Sequence, residues 1–163
     1  IGVCLGAQLI AHTLGGKIVR LKDEFNKNKP ELGWSEISSI DKKSNEEKSL
    51  RLRDPLKVLH WHGDRIILPP QAELLASSTK CSEQFFKVGE NIYGLQFHVE
   101  TEGFMTDIWI RNDKRFINSG LGENGQRILK DQCKKFELST HNARILFIKI
   151  LINNISKHKK TSL

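Results

Sequence analysis

The sequence predicts an α/β fold with a mixed sheet, and three observations predict it. A short apolar stretch at residues 1–3 leads through Cys4 and its flanking glycines into a helical pattern. Runs with strand character, separated by turn residues, fill most of residues 17–98. Beyond Thr101 the pattern becomes helical. A strand, a turn and a helix, followed by mostly β structure and then by helices, is typical of a sheet that helices flank.

The first two elements are a strand and a helix joined by a tight turn. Residues 1–3 have the character of a strand end. Residues 7–16 predict a helix, because apolar side chains recur on one face. The glycine pair Gly15-Gly16 ends this helix.

The middle of the chain is predicted to be mostly β structure. Strand character covers residues 17–21, 32–40, 56–69, 72–78 and 84–98. The third of these regions turns at Gly63-Asp64, and the last consists of two strands around a turn at residues 89–91, ending at His98. Between the strands we expect a charged loop at residues 22–30 and an exposed hairpin connection at residues 41–49.

Three helices are predicted after the strands. They cover residues 102–118, 123–138 and 140–158. Asn124 and Thr140 are the expected N-caps of the second and third helices, since their side chains can accept a hydrogen bond from a free amide of the first turn. Phe104 and Trp109 have the spacing of an apolar helix face.

The composition is that of an ordinary globular domain. The chain has 163 residues, of which 38% are hydrophobic and 28% charged. Its longest apolar stretch, residues 143–155, is interrupted by Arg144 and Lys149, so we expect no membrane span. The net charge of +7 comes from scattered lysines, and only residues 157–160 form a basic cluster. We therefore expect no nucleic-acid partner.

The three cysteines point to a reducing compartment. Cys4, Cys81 and Cys133 are odd in number and have no CxxC spacing, which disfavours a disulfide scaffold and predicts a cytoplasmic protein. Cys81 and Cys133 have no base next to them in the sequence, so we expect both thiols to be inert.

Cys4 lies in a G-x-C-x-G run between the first strand and the first helix. A nucleophile elbow places a reactive atom on such a sharp turn, and flanking glycines permit the strained backbone. The positive end of the following helix favours a thiolate. The backbone N–H of Leu5 is in position to stabilise an oxyanion. A buried structural cysteine in a glycine-rich turn is the alternative that these residues leave open.

A base for this cysteine is available at residues 94–100. His98 ends the apolar strand, and Glu100 lies two residues further on, so both side chains share a face if the strand continues. A carboxylate beside an imidazole holds its tautomer and stabilises the imidazolium. Taken alone, this pair fits a surface ion pair at a strand end. Together with Cys4 it favours a Cys–His–Glu triad.

Three stretches of the sequence carry a family resemblance. They read GVCLGAQLIAHTLGG at residues 2–16, WHGD at 61–64 and GLQFHVE at 94–100. In this order and spacing they resemble the class I, triad-type glutamine amidotransferases, and among these the stand-alone GMP-synthase-like members. The resemblance covers most of residues 1–110 and implies a flavodoxin-like mixed sheet flanked by helices.

The resemblance also implies a reaction. Cys4 would attack the side-chain amide of glutamine to form a γ-glutamyl thioester, with release of ammonia and then of glutamate. His98 would move the protons and Glu100 would orient His98. No metal or cofactor is implied. The substrate would be L-glutamine or another γ-glutamyl compound, and a synthetase partner could receive the ammonia.

Five positions carry over from the family as substrate-binding residues. They are Leu5, Gln8, Trp61, Gly63 and Asp64. Several of these would act through backbone groups. Gln8 lies one helical turn beyond Cys4, where its side chain could bind part of a glutamine molecule.

Two departures from the family pattern stand out. Val99 replaces the proline of the F-H-P-E motif, which leaves His98 and Glu100 in place. Family members also carry roughly another half-domain before the elbow, including early strands and a glycine loop with the second oxyanion donor. The chain is therefore expected to be the C-terminal part of one amidotransferase domain, with the elbow, sheet and triad in residues 1–100 and a helical tail in 101–163.

Truncation of this kind has consequences. Loss of one oxyanion donor typically lowers the rate by about 10²–10³-fold. A sheet edge and apolar helix faces should be exposed, so we expect the 163-residue chain alone to be poorly soluble or inactive. Two alternatives to a glutaminase follow. One is a catalytically inactive fragment that survives as a binding domain or pseudogene product, and the other is a γ-glutamyl peptidase-like cysteine hydrolase.

Two further features leave interpretations open. His60 and His62 share one face of a predicted strand and could begin a metal site, but no third ligand with familiar spacing is apparent, so no metal is predicted. Trp34 fits a cleft-lining position and a core position equally well.

Overall fold

The computed structural model describes residues 1–40 and 55–159, with side chains up to residue 156. The predicted hairpin connection at residues 41–49 and the side chains of the basic cluster at 157–160 lie outside this description. The elements in chain order are β1 (Gly2–Val3), α1 (Leu5–Thr13), β2 (Lys17–Arg20), β3 (Glu31–Ser39), β4 (Leu56–His62), β5 (Asp64–Ile67), β6 (Ala72–Ser77), β7 (Phe85–Val88), β8 (Ile92–Leu95), α2 (Gly103–Asn112), α3 (Lys114–Leu121) and α4 (Gly125–Lys159).

Six of the strands form one mixed sheet. Their order is β1-β8-β7-β6-β3-β4, with β1 parallel to β8 and the other neighbours antiparallel. β2 and β5 pair separately as a two-stranded sheet. The chain passes from the large sheet to the small one at Gly63, between β4 and β5. The predicted α/β fold with a mixed sheet flanked by helices is therefore confirmed.

Helices cover both faces of the large sheet. Phe85 and Phe86 are consecutive and fully buried, so they point to opposite faces. Phe85 packs edge-on against Phe147 of α4, with ring centroids 5.4 Å apart. Phe86 belongs to the cluster that contains Ala7 and Ala11 of α1. The alternation of β7 therefore joins two cores, one under each helix.

The helical tail differs from the prediction in its boundaries. The first predicted helix is broken into α2 and α3 at Asp113, while the second and third are one continuous helix, α4, of 35 residues. Thr140 is therefore not an N-cap. It lies inside α4, and its hydroxyl donates to the carbonyl of Phe136. Beyond Gly125 the described helix contains no glycine or proline, so nothing in its sequence stops it.

Asn124 directly precedes α4, and its carbonyl accepts a hydrogen bond from the N–H of Ile128. The predicted start of this helix is therefore confirmed. Despite the length of α4, a search of the described residues finds no helix apolar enough to cross a membrane.

Candidate active site

Cys4 lies at the point where β1 turns into α1. Its backbone has φ 49° and ψ −105°, a left-handed conformation that a residue with a side chain rarely adopts. The N–H of Cys4 donates to the carbonyl of Leu95 at 2.7 Å, and the Cys4 carbonyl accepts from the N–H of Gln8. Hydrogen bonds to the sheet and to the helix thus hold the strained turn, as the nucleophile-elbow hypothesis requires.

The glycines on either side of Cys4 differ in what surrounds them. A Cβ built on Gly2 would lie 2.5 Å from the backbone of Gly6, so the close approach of β1 to α1 requires glycine there. A Cβ on Gly6 would meet nothing within 4 Å. Close packing of the elbow therefore requires glycine at Gly2, whereas the space at Gly6 would accommodate a side chain.

His98 reaches the elbow from a loop, and the strand before it is shorter than predicted. β8 ends at Leu95, although the N–H of Gln96 still donates to the carbonyl of Gln84, just before β7, at 2.8 Å. The N–H of His98 donates instead to the carbonyl of Leu59 in β4, at 2.8 Å. The imidazole packs edge-on against Trp109, with ring centroids 5.0 Å apart.

Glu100 meets His98 although the strand does not continue between them. Oε1 of Glu100 lies 2.7 Å from Nδ1 of His98, and Oε2 accepts a hydrogen bond from the N–H of Val99 at 2.9 Å. Because the carboxylate can only accept, Nδ1 carries the proton and Nε2 is the nitrogen left for a second partner.

Neighbouring groups determine the charges of this pair. Burial by itself lowers the pKa of His98, but hydrogen bonds to Cys4 and Glu100 outweigh it and raise the pKa to about 9. Burial raises the pKa of Glu100, yet its hydrogen bond and attraction to His98 hold that pKa below its usual value. An imidazolium next to a carboxylate is therefore the stable form of the pair at neutral pH.

The thiol and the imidazole line one open cavity of about 530 Å³. The sulfur of Cys4 lies 3.9 Å from the carbonyl oxygen of Trp61. The cavity is lined by Val3, Cys4, Leu5, Trp61, His98, Trp109, Asn112 and Asp113. A thiol, an imidazole and a mixed polar and aromatic wall thus face the same space, which suits a small polar substrate.

The predicted substrate-binding residues are only partly brought together. Leu5 and Trp61 line the cavity, whereas Gln8, Gly63 and Asp64 are not among its lining residues. The amide of Gln8 instead donates to Gln96, whose own amide lies 3.7 Å from the Cys4 sulfur. The carboxylate of Asp64 forms an ion pair with Arg20 at 3.0 Å.

Sequence reasoning missed the contribution of α2 to the site. Trp109, Asn112 and Asp113 form one wall of the cavity, and Asp113 accepts a hydrogen bond from the indole of Trp61 at 3.1 Å. The spacing of Trp109 and Asp113 puts both on one side of a helix end, but that pattern is common, and nothing in the sequence connects it with Cys4.

The remaining candidates have structural surroundings. Trp34 is buried, its indole N–H points to the sulfur of Cys133, and Arg144 stacks over its ring. The core position is therefore the correct one of the two considered. Burial raises the pKa of Cys81 to about 12, which supports the expectation of an inert thiol. All three cysteines are unpaired.

Comparison with known families agrees with this geometry. The model of the family described as "Glutamine amidotransferase class-I" matches residues 1–113, which include the elbow, His98, Glu100 and the α2 wall. The chain belongs to this family. The family is enzymatic, and the resemblance read from the three sequence motifs is therefore confirmed.

This class I amidotransferase chain covers only part of the length of its individual relatives. It is 36% identical over 120 residues to one of the subunits of glutamine-hydrolysing GMP synthase from Sulfolobus acidocaldarius, covering 72% of this chain and 57% of the relative. It is 26% identical over 149 residues to gamma-glutamyl peptidase 2 of Arabidopsis thaliana, covering 90% of this chain and 56% of the relative. The chain thus spans little more than half the length of these relatives.

A solved structure of this family has a similar fold and is also only partly covered by this chain. The crystal structure of a glutamine amidotransferase from Thermotoga maritima superimposes on this amidotransferase chain with a TM-score of 0.72 at 27% identity. The superposition covers 94% of this chain and 60% of that structure.

Proposed function

We propose that this amidotransferase domain hydrolyses the side-chain amide of L-glutamine through a cysteine thioester, with Cys4, His98 and Glu100 as the catalytic triad. The observation that carries the proposal is the 2.7 Å contact between His98 and Glu100 beside a thiol held at a strained elbow. Cys4 and His98 line the same cavity, and the interaction with Cys4 helps to raise the pKa of His98, which supports a coupled set of three groups.

The first half of the reaction forms the thioester. In the imidazolium form of His98, Nε2 holds the proton of the Cys4 thiol, and the sulfur attacks the amide carbon of the substrate. The resulting oxyanion lies near the N–H of Leu5, at the start of α1, where amides have no partner within the helix. His98 gives its proton to the leaving nitrogen, the C–N bond breaks, and ammonia departs.

The second half of the reaction hydrolyses the thioester and releases glutamate. His98 takes a proton from a water molecule, and the hydroxide adds to the thioester carbon. The C–S bond then breaks, Cys4 regains a proton, and glutamate leaves. Glu100 keeps Nδ1 protonated in both halves, so that Nε2 always faces the sulfur.

Asp113 is proposed to hold the α-ammonium group of the substrate. It is the one carboxylate among the residues that line the described cavity. One of its oxygens is already bonded to the indole of Trp61, which fixes the side chain and directs its charge into the cavity.

A second candidate function is γ-glutamyl peptidase activity. The relative from Arabidopsis thaliana, whose similarity extends over 90% of this chain, carries that name. The same thioester would form, but an amine or amino acid would leave instead of ammonia. The cavity volume of about 530 Å³ beside Cys4 is compatible with a leaving group larger than ammonia.

The proposal also includes a partner protein and a cellular location. One relative is named as one of the subunits of a synthase, so we expect a synthetase partner to receive the ammonia. Three unpaired cysteines suit the reducing cytoplasm.

The test compares Cys4→Ala with Cys133→Ala, because Cys133 is a half-buried thiol outside the cavity. The assay measures glutamate from L-glutamine, and the free amino acid from a γ-glutamyl dipeptide, for the 163-residue chain and for a form extended upstream in its reading frame. We expect Cys4→Ala to abolish release and Cys133→Ala to retain it. Full activity of Cys4→Ala would contradict the mechanism. Absence of turnover in both forms would favour the inactive-fragment alternative.

A further inference from the structure

A buried cluster of potential metal ligands lies between β3 and β4, away from the cavity that contains Cys4. Glu31, His60 and His62 each offer one donor atom, and these atoms all lie within 4.8 Å of one another. Glu31 is directly opposite His62 in the antiparallel register, and His60 is on the same face two residues earlier. All three residues are at least 97% buried.

The tautomer of His62 makes this cluster unusual. Nδ1 of His62 lies 2.9 Å from the carbonyl oxygen of Asp64. A carbonyl can only accept, so Nδ1 carries the proton and a neutral His62 presents the bare lone pair of Nε2. That nitrogen is 3.2 Å from Oε2 of Glu31 but out of line for a hydrogen bond. Two electron-rich atoms therefore face one another in a site sealed from water.

The ring nitrogens of His60 also lack hydrogen-bond partners. Its Nδ1 lies 3.6 Å from the same Oε2 of Glu31, and neither of its ring nitrogens makes a hydrogen bond of normal geometry. Fully buried imidazole nitrogens without partners are costly, so a missing partner is the simplest physical explanation. One cation between the three donors would supply it for both histidines and for the carboxylate.

The surrounding contacts match those of a metal site. The carboxylate of Glu31 is held by the hydroxyl of Ser78 at 2.8 Å and by the amide of Gln84 at 2.7 Å. Metal-binding carboxylates are typically held in this way, and a metal-binding histidine usually donates its other N–H to a carbonyl or carboxylate, as His62 does. The separations of 3.2 and 3.6 Å between Oε2 of Glu31 and the two histidine nitrogens are close to the roughly 3.3 Å expected between ligands of tetrahedral zinc with bonds of about 2.0–2.1 Å, and all three donor atoms lie within 4.8 Å of one another.

We propose that Glu31, His60 and His62 bind one divalent transition-metal ion of the zinc type at a buried site with three protein donors. Two imidazoles and a carboxylate form a donor set that zinc accepts readily. Because the donors are buried, the ion enters as the chain folds. Trp61 lies between the two histidines and presents its carbonyl to Cys4, so the ion braces the strand that forms one wall of the catalytic cavity.

The sequence alone did not reveal this site. Its two histidines were apparent, but the third ligand comes from another strand, and its position depends on the register of β3 against β4. The proposal is independent of the glutaminase proposal, because no ligand of the ion takes part in the reaction.

The test uses the full chain in a Cys4→Ser background, so that zinc cannot bind the catalytic thiol. The protein is unfolded with chelator, refolded with or without Zn²⁺, desalted and analysed for metal by mass spectrometry. We expect one zinc per chain and a rise in the melting temperature of about 5–10 °C at saturating zinc. Glu31→Gln should bind no zinc and show no rise in melting temperature. The variants His12→Ala and His141→Ala, which remove exposed histidines, should retain both the zinc and the rise in melting temperature.

X-ray absorption of the zinc-loaded protein provides a measurement that does not depend on a variant folding. The expected coordination is nitrogen and oxygen only. Sulfur in the coordination shell would overturn the proposal, and so would the absence of stoichiometric zinc after refolding.

Discussion

Oε1 of Glu100 lies 2.7 Å from Nδ1 of His98, although β8 ends at Leu95 and no strand geometry aligns the two side chains. The contact is made by a turn, in which the second oxygen of Glu100 also binds the N–H of Val99. The Glu100 carboxylate thus accepts a hydrogen bond from the neighbouring backbone as well as from the imidazole. Its orientation, and with it the tautomer of His98, is fixed locally.

Replacement of Glu100 by glutamine should therefore impair catalysis without unfolding the site. Removing the carboxylate charge destabilises the imidazolium form of His98 and frees its tautomer, so we expect kcat for glutamate release to fall by about 10²-fold or more. Steady-state kinetics of the active form provides the measurement. Glu102→Gln, an exposed carboxylate two residues on, is the matched control and should behave as wild type. Equal activity of the two variants would exclude an orienting role for Glu100.

The titration of His98 should be displaced upward. Hydrogen bonds to Cys4 and Glu100 raise its pKa to about 9, against about 6.5 in an unfolded chain. The NMR signal of the His98 ring should therefore titrate near pH 9, and its midpoint should fall in Cys4→Ser and in Glu100→Gln. A midpoint near 6.5 in the wild-type protein would contradict the hydrogen-bonded pair.

The same shift predicts how stability depends on pH. Because the folded pKa is raised, the protonated His98 stabilises the fold fully below about pH 6.5, and this contribution is lost as the pH rises through about 9. The difference in unfolding free energy between wild type and His98→Gln should shrink from about pH 6 to about pH 10. His12→Gln, at an exposed position, should show no such trend. A difference that grows with pH would have the wrong sign.

Asp113→Asn tests the proposed substrate contact. If Asp113 holds the α-ammonium group, the variant should raise KM for L-glutamine about tenfold, with a smaller effect on kcat. Glutaramate, which has the amide but lacks the ammonium, should be hydrolysed equally by variant and wild type. Asp107→Asn on the exposed side of α2 is the control. An equal loss with both substrates would assign Asp113 to positioning Trp61 and not to binding charge.

The two glycines beside Cys4 should respond in opposite ways to alanine. A Cβ on Gly2 would overlap the backbone of Gly6, so Gly2→Ala should lower the free energy of unfolding by about 1–3 kcal/mol. Gly6→Ala meets open space within α1 and should leave stability unchanged or raise it by up to about 1 kcal/mol. Urea denaturation of both variants measures the difference. Equal destabilisation by both would show that β1 and α1 do not approach as closely as described.

The sequence by itself determined the local parts of this protein. Hydrophobic periodicity and turn residues located the strands and the start of the helical tail, because these depend on neighbours along the chain. The glycines around Cys4 indicated the elbow, and the motifs at residues 61–64 and 94–100 indicated the family. Where local signals were ambiguous, the boundaries were wrong. Thr140 can cap a helix or bond back within one, and only packing against the sheet selects the continuous α4.

Tertiary structure alone decided which distant residues meet. Trp109 and Asp113 line the cavity with Cys4 because both contact Trp61 of β4, and Glu31 meets His60 and His62 because of the register of two strands. Register and packing depend on the summed burial of many side chains across the sheet, which no short stretch of sequence encodes. The candidate nucleophile and its candidate base could therefore be named from the chain, whereas the wall of the cavity beside Cys4 and the proposed metal ligands could not.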